Sequence, residues 1–178
     1  MKIFTQVSLL LLLWHFTFPA HAAKLDAEQA FKQLTALVGT WKGRFSDGRE
    51  HSVNYRLTAG GTVLVETWTL SKVRESMTLY HLDGDTVMAT HYCPQGNQPR
   101  LVLASNKDRM NFTFRDGSNL NVPGKSHQHS FWLQIKDNDH FQRNENYVEN
   151  GMALKITSIE DPKETVSYTR VTEKQALQ

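Results

Sequence analysis

The chain reads as an all-β protein: an antiparallel up-and-down barrel of about ten strands with a short N-terminal helix. Three observations carry that reading. Between residues 40 and 171, apolar and polar residues alternate with period two in a series of short runs. Compact turn-formers such as Gly60-Gly61, Asp83-Gly84-Asp85 and Asp137-Asn138-Asp139 separate the runs, as expected of hairpins rather than crossovers. The series also opens on Gly39-Thr40-Trp41 and ends on Tyr168-Thr169-Arg170, so its first and last strands can meet and close a barrel around an interior.

Residues 1–22 read as a signal peptide. Lys2 supplies the positive start, Val7 to Phe18 the apolar run, and Ala20-His21-Ala22 the small-x-small pattern before a cut after Ala22. The apolar run is short of the roughly 20 residues that span a bilayer, so no membrane span is expected. The protein is expected to be exported, to the periplasm or the medium, leaving residues 23–178 as a single domain. Of the 20 basic and 18 acidic residues only Lys2 is lost with the leader, so the remainder is nearly neutral and carries no footprint for nucleic acid. Cys93 is the only cysteine. An internal disulfide is therefore impossible, and stability must come from packing and from the hydrogen-bond ladder.

Past the cleavage point, Asp26 reads as an N-cap with Gln29 as its capping-box partner. Ala30, Phe31, Leu34, Leu37 and Val38 follow at helical spacing. The spacing predicts an amphipathic helix over about 26–37 that plugs one end of the barrel. Strands are then expected at 40–45, 51–58, 62–70, 75–82, 86–93, 99–105, 109–115, 128–136, 140–148 and 164–171. The stretch 116–127, with Val122-Pro123-Gly124, reads as a longer loop over a barrel mouth. Residues 152–159 read equally as a further strand or as part of a wide return.

The faces of these strands decide what lines the interior. If Asp83-Gly84-Asp85 closes a hairpin with Leu82 opposite Thr86, then Met77, Leu79, His81, Val87, Ala89, His91 and Cys93 point inward. By the same alternation Leu101, Leu103, Met110, Phe112, Phe114, Phe131, Leu133 and Ile135 face the interior, and His127 and His129 share the parity of Phe131. Glu66 reads as a solvated carboxylate.

Gly39-x-Trp41 near the start and Arg170 near the end resemble the calycin signature of lipocalins and their fatty-acid-binding and nitrobindin-type relatives. The resemblance implies that the arginine lies across the tryptophan ring and closes the barrel base, a structural role for Trp41 and Arg170. Three further segments, Gly60 to Thr67, Tyr80 to Asp85 and Thr90 to Arg100, are similar to a group of exported bacterial proteins of unassigned function.

His91, Cys93, Asn97, Gln98 and Arg100 gather more hydrogen-bonding groups than a turn requires, and with His81 and His129 they are the candidate ligand-binding residues. His81, His91 and either His127 or His129 would offer three imidazoles to a metal. The His127-Gln128-His129 spacing specifies none, and ordinary rim histidines are the preferred account. No nucleophile elbow, phosphate loop, zinc-protease helix motif or pair of Cys-x-x-Cys clusters is present, so no catalytic, metal or cofactor residues are assigned. Cys93 and His91 stand two positions apart on one strand, about 6–7 Å, too far for a direct hydrogen bond.

The leading functional reading is a barrel that holds a small apolar or amphipathic molecule in an internal cavity, its polar end met by the 91–100 segment. Two alternatives stand beside it. One is a haem or metal barrel of the nitrobindin type, against which the run 164–171 has no histidine where those relatives take their axial ligand. The other is an enzyme that uses His91 as acid or base.

Overall fold

Ten antiparallel strands, each paired with its chain neighbour, roll up until the first meets the last. This is the architecture of the computed structural model, which describes residues 20–71, 74–149 and 165–172. A helix, α1 (Ala20–Thr35), precedes β1 (Gly39–Phe45), β2 (Glu50–Thr58), β3 (Val63–Ser71), β4 (Arg74–Asp83) and β5 (Thr86–Tyr92). The sheet continues through β6 (Gln98–Asn106), β7 (Met110–Ser118), β8 (Ser126–Ile135), β9 (His140–Glu149) and β10 (Val166–Arg170). Closure comes from β1 against β10, with Trp41 opposite Arg170 and Phe45 opposite Val166. A sheet closed in this way leaves no edge strand to aggregate.

All ten expected strands are present with ends shifted by three residues at most, and the loop expected over 116–127 shortens to the stretch between Ser118 and Ser126. The leader, apart from Ala20 to Ala22 in the first turn of α1, lies outside the described residues, as does the stretch 152–159. The helix begins six residues earlier than its expected start and ends at Thr35. Asp26 is therefore inside the helix and not its cap. The Ala-His-Ala-Ala-Lys-Leu segment before it is made mostly of strong helix formers, which carry the helix upstream.

The base of the barrel is packed with buried apolar side chains. Ala27, Ala30, Leu34 and Leu37 of the helix region are buried, α1 contacts β4 and β5, and Trp41 donates its indole N–H to the Leu37 carbonyl at 2.7 Å. Aromatic rings fill the level above. Phe112 and Phe131 stack at 4.6 Å between centroids, Tyr80 meets both edge-on, and Phe141 stacks on Tyr168 at 4.1 Å.

One register differs from expectation, and with it one face. Asp83 pairs with Thr86 across a two-residue turn in which Gly84 has φ +64°, so Leu82 stands opposite Val87 rather than Thr86. The one-residue shift turns every side chain of β4 over. Ser76, Thr78 and Tyr80 face inward, while Met77 is exposed and Leu79 and His81 lie on the outer face. The β5 assignment stands, with Val87, Ala89 and His91 buried inside. A second irregularity lies in β8, where the register against β9 jumps between Gln128 and Ser130. The extra residue, His129, breaks the alternation. Gln128, not His127 or His129, therefore falls in register with the inward Tyr147.

Candidate functional site

The end opposite α1 is where the interior changes from rings to polar groups. On β3 the inward row is Leu64, Glu66, Trp68, and on β9 it is Phe141, Arg143, Glu145, Tyr147. Strand alternation thus delivers two carboxylates and a guanidinium to the barrel axis. Glu66 and Arg143 are each 1 % exposed and meet at 2.7 Å between Oε2 and Nη1. The solvated reading of Glu66 is overturned. It shares parity with Trp68 and is drawn inside because three donors wait there, Arg143 Nη1, the Tyr80 hydroxyl at 2.6 Å and the Trp68 indole N–H at 2.5 Å.

Arg143 also donates to the Tyr80 oxygen at 2.9 Å and, through Nε, to Glu145 Oε1 at 2.8 Å, while its guanidinium lies 4.1 Å from the Phe131 ring centroid. Burial works against its charge, but Glu66, Tyr80 and Glu145 outweigh it and hold the guanidinium charged well beyond its ordinary range. Burial in the same layer, opposed by Arg143 and reinforced by Glu66, pushes Tyr80 up, so the phenol keeps its proton and donates.

Above this layer lies a cavity of about 280 Å³ lined by Trp68, Ser76, His91, Cys93, Glu145 and Tyr147, with Arg74 and Gln95 at its rim. Tyr147 donates to Glu145 Oε2 at 3.2 Å, and His91 Nδ1 lies 3.0 Å from Thr78 Oγ1. Burial, with the Arg143 charge beside it, lowers the His91 pKa from its ordinary 6.5 to about 4, so the ring is neutral near pH 7. His51 stacks on Trp68 at 4.6 Å, is 3.0 Å from the Tyr168 hydroxyl, and is likewise lowered, chiefly by burial. Gly43 makes that arrangement possible. A Cβ there would sit 2.6 Å from the Tyr168 ring and 2.7 Å from His51.

Several polar atoms in this half of the barrel are buried without a protein partner: His91 Nε2, His51 Nδ1, Arg143 Nη2 and both amide atoms of Gln128. Such atoms ordinarily number a few per hundred residues and are scattered. His91 Nε2 is the one of these that lies on the cavity wall.

Of the seven residues singled out in the sequence, His91 and Cys93 line the cavity. Asn97 is buried beside it, and its Nδ2 donates to the Ser126 carbonyl at 2.8 Å, tying the β5–β6 turn to the start of β8. Gln98 bonds to the Gly96 carbonyl and to Asn119 on the outside of that turn. Arg100 is half-exposed on the outer face and ion-paired with Asp116 across the β6–β7 ladder. His81 is on the outer face with Nδ1 at 2.9 Å from the Leu82 carbonyl oxygen. His129 stacks on Phe114 at 5.3 Å beside a separate side cleft of about 340 Å³, where β7 and β8 stop pairing beyond Thr113 and Ser130. The expected convergence of His91 and Arg100 on one mouth does not occur, because Arg100 belongs to the outward row of β6. Nor do the histidines converge. Among the described residues no group of three His, Cys, Asp or Glu side chains is arranged to hold a metal ion.

Trp41 and Arg170 meet at the base. The guanidinium lies 4.1 Å over the indole and donates to the carbonyls of Asn138, Val38 and Ala36. Sequence reasoning missed Arg143, Glu145, Trp68 and Tyr147, and misread Glu66. A signal was present: in His140 to Tyr147 an arginine and a glutamate occupy the same parity as Phe141 and Tyr147, which is unusual for a row that must face a core. No protein-family model matches the chain, and no curated protein matches it.

Proposed function

We propose that the protein is an exported, calycin-like carrier that binds a small amphipathic molecule in the cavity at the end of its barrel opposite α1. The observation that carries this reading is a partnerless buried polar atom on the wall of that cavity, His91 Nε2, with a second, Arg143 Nη2, in the ion-pair layer beneath it. A buried donor or acceptor without a partner costs about 1–3 kcal/mol. A ligand that supplies matching groups removes that cost, and the aromatic walls Trp68 and Tyr147 cover its apolar body. The guanidinium laid on Trp41 at the base supports the calycin likeness. The packed base, in turn, favours a ligand of modest size lodged near the mouth over a long chain threaded through the barrel.

Native mass spectrometry of protein purified from its own host tests the reading. The wild-type protein is expected to carry a small-molecule adduct that denaturation releases. Ser76→Phe, which fills the cavity from a wall position that takes no part in the ion-pair layer, should lack it. Equal masses for the two proteins, with nothing released from either, would end the proposal.

A further inference from the structure

The charge of the cavity wall narrows the chemistry of the ligand, an inference that rests on binding at the mouth as proposed above. Two carboxylates, Glu66 and Glu145, share a single buried cation, Arg143, through contacts of 2.7 and 2.8 Å. The neighbouring imidazoles add no positive charge near neutral pH, because burial lowers both His51 and His91. Among the described residues, the buried layer thus carries a formal charge of minus one. A second anion placed there would meet like charge in a poorly solvated site, whereas a cation restores neutrality. Among the described residues the other cation at the cavity, Arg74, is exposed at its rim, where solvent screens it.

The acceptors are already oriented. Each Glu145 oxygen accepts one hydrogen bond, from Arg143 Nε or from Tyr147, and keeps further lone-pair capacity. His91 is 4 % exposed, lines the cavity, and has no protein partner at Nε2. In the tautomer that donates Nδ1–H to Thr78 Oγ1, Nε2 presents a lone pair. Trp68 and Tyr147 supply aromatic surface within the same wall, which favours an organic cation over a hydrated metal ion. We infer that the mouth cavity binds a small organic amine in its ammonium form, its N–H groups donated to Glu145 and His91 Nε2 and its apolar body set against Trp68 and Tyr147.

Isothermal titration calorimetry at pH 7 with three probes of one shape tests this: benzylammonium, benzyl alcohol and benzoate. Benzylammonium should bind at least tenfold more tightly than the alcohol, and benzoate most weakly. Glu145→Gln should erase the preference. Arg74→Gln, a surface change that leaves the buried layer intact, should tighten benzylammonium several-fold by removing the opposing charge at the rim. If benzoate or benzyl alcohol binds as well as benzylammonium and Ser76→Phe abolishes it, cavity binding stands and the amine assignment fails. If benzylammonium binding ignores both charge substitutions, the assignment also fails. If none of the three probes binds, the amine assignment fails, while a native-mass adduct lost in Ser76→Phe would leave cavity binding standing.

Discussion

The two ends of the barrel are each organised around an arginine laid on an aromatic ring, and they differ in what the arginine's hydrogen bonds meet. At the base, Arg170 covers Trp41 and spends its donors on three backbone carbonyls, while the indole N–H finds a fourth. Backbone carbonyls are fixed by strand register and helix end, so the contact is satisfied and rigid. Even the neighbouring residue is shaped to it, since a Cβ on Gly39, which has φ +129°, would sit 2.9 Å from Arg170 Nη1. Toward the mouth, Arg143 lies against Phe131 and meets two carboxylates and a phenol, with Nη2 unmatched. Among the described residues each arginine makes three hydrogen bonds, but Arg170 is partly exposed, so its remaining N–H groups can meet solvent, whereas Arg143 Nη2 is buried and unmatched. The same residue type therefore closes one end and, at the other, leaves a buried donor unmatched.

The sharpest break of this contrast is Arg143→Met, which strands Glu66 and Glu145 without a counter-ion. It should cost about 4–5 kcal/mol, in the upper part of the range for breaking a buried pair. Urea denaturation measures it, and adding Glu66→Gln should return part of the loss, because the remaining group is neutral. At the base, Trp41→Ala should cost about 3–4 kcal/mol as a large buried ring is deleted. Arg170→Ala should cost less, and a double-mutant cycle should give clearly non-additive losses. Strict additivity would mean that the guanidinium–indole contact carries no energy of its own.

The smallest effect is a pH dependence confined to the mouth. His91 has its pKa lowered from 6.5 to about 4 in the folded state. Between these values the unfolded chain binds a proton that the folded chain refuses, so stability falls as pH drops from about 6.5 and levels off below about 4. The loss should approach about 3 kcal/mol, since one pKa unit corresponds to about 1.4 kcal/mol. His91→Gln should remove this component, leaving a shallower stability profile between pH 7 and 4 while the wild-type and variant curves run parallel above pH 7. Curves that stay parallel down to pH 4 would place His91 in contact with solvent.

Much of the base was legible in the residues themselves. Gly39-x-Trp41 and the distant Arg170 have to meet if a meander of ten strands closes, and the helical spacing of Ala30, Leu34 and Leu37 identifies the plug. The mouth was harder to read. Its inward rows mix Glu66 with Leu64 and Trp68, and Arg143 with Phe141, so a pattern of apolar-in and polar-out gives the wrong side for the residues that matter most.

Alternation with period two is a local property of the backbone, and with the turn residues it determined the number of strands, their order and the closed antiparallel sheet. Which side of each strand became the inside was decided by register, which depends on a single residue at Asp83–Thr86 and on the extra residue at His129. Only the tertiary structure settled those, because a one-residue slip leaves the local alternation unchanged while exchanging core for solvent along the whole strand. Packing then chose the register that brings Glu66, Tyr80 and Arg143 together, the one in which buried charges find their partners.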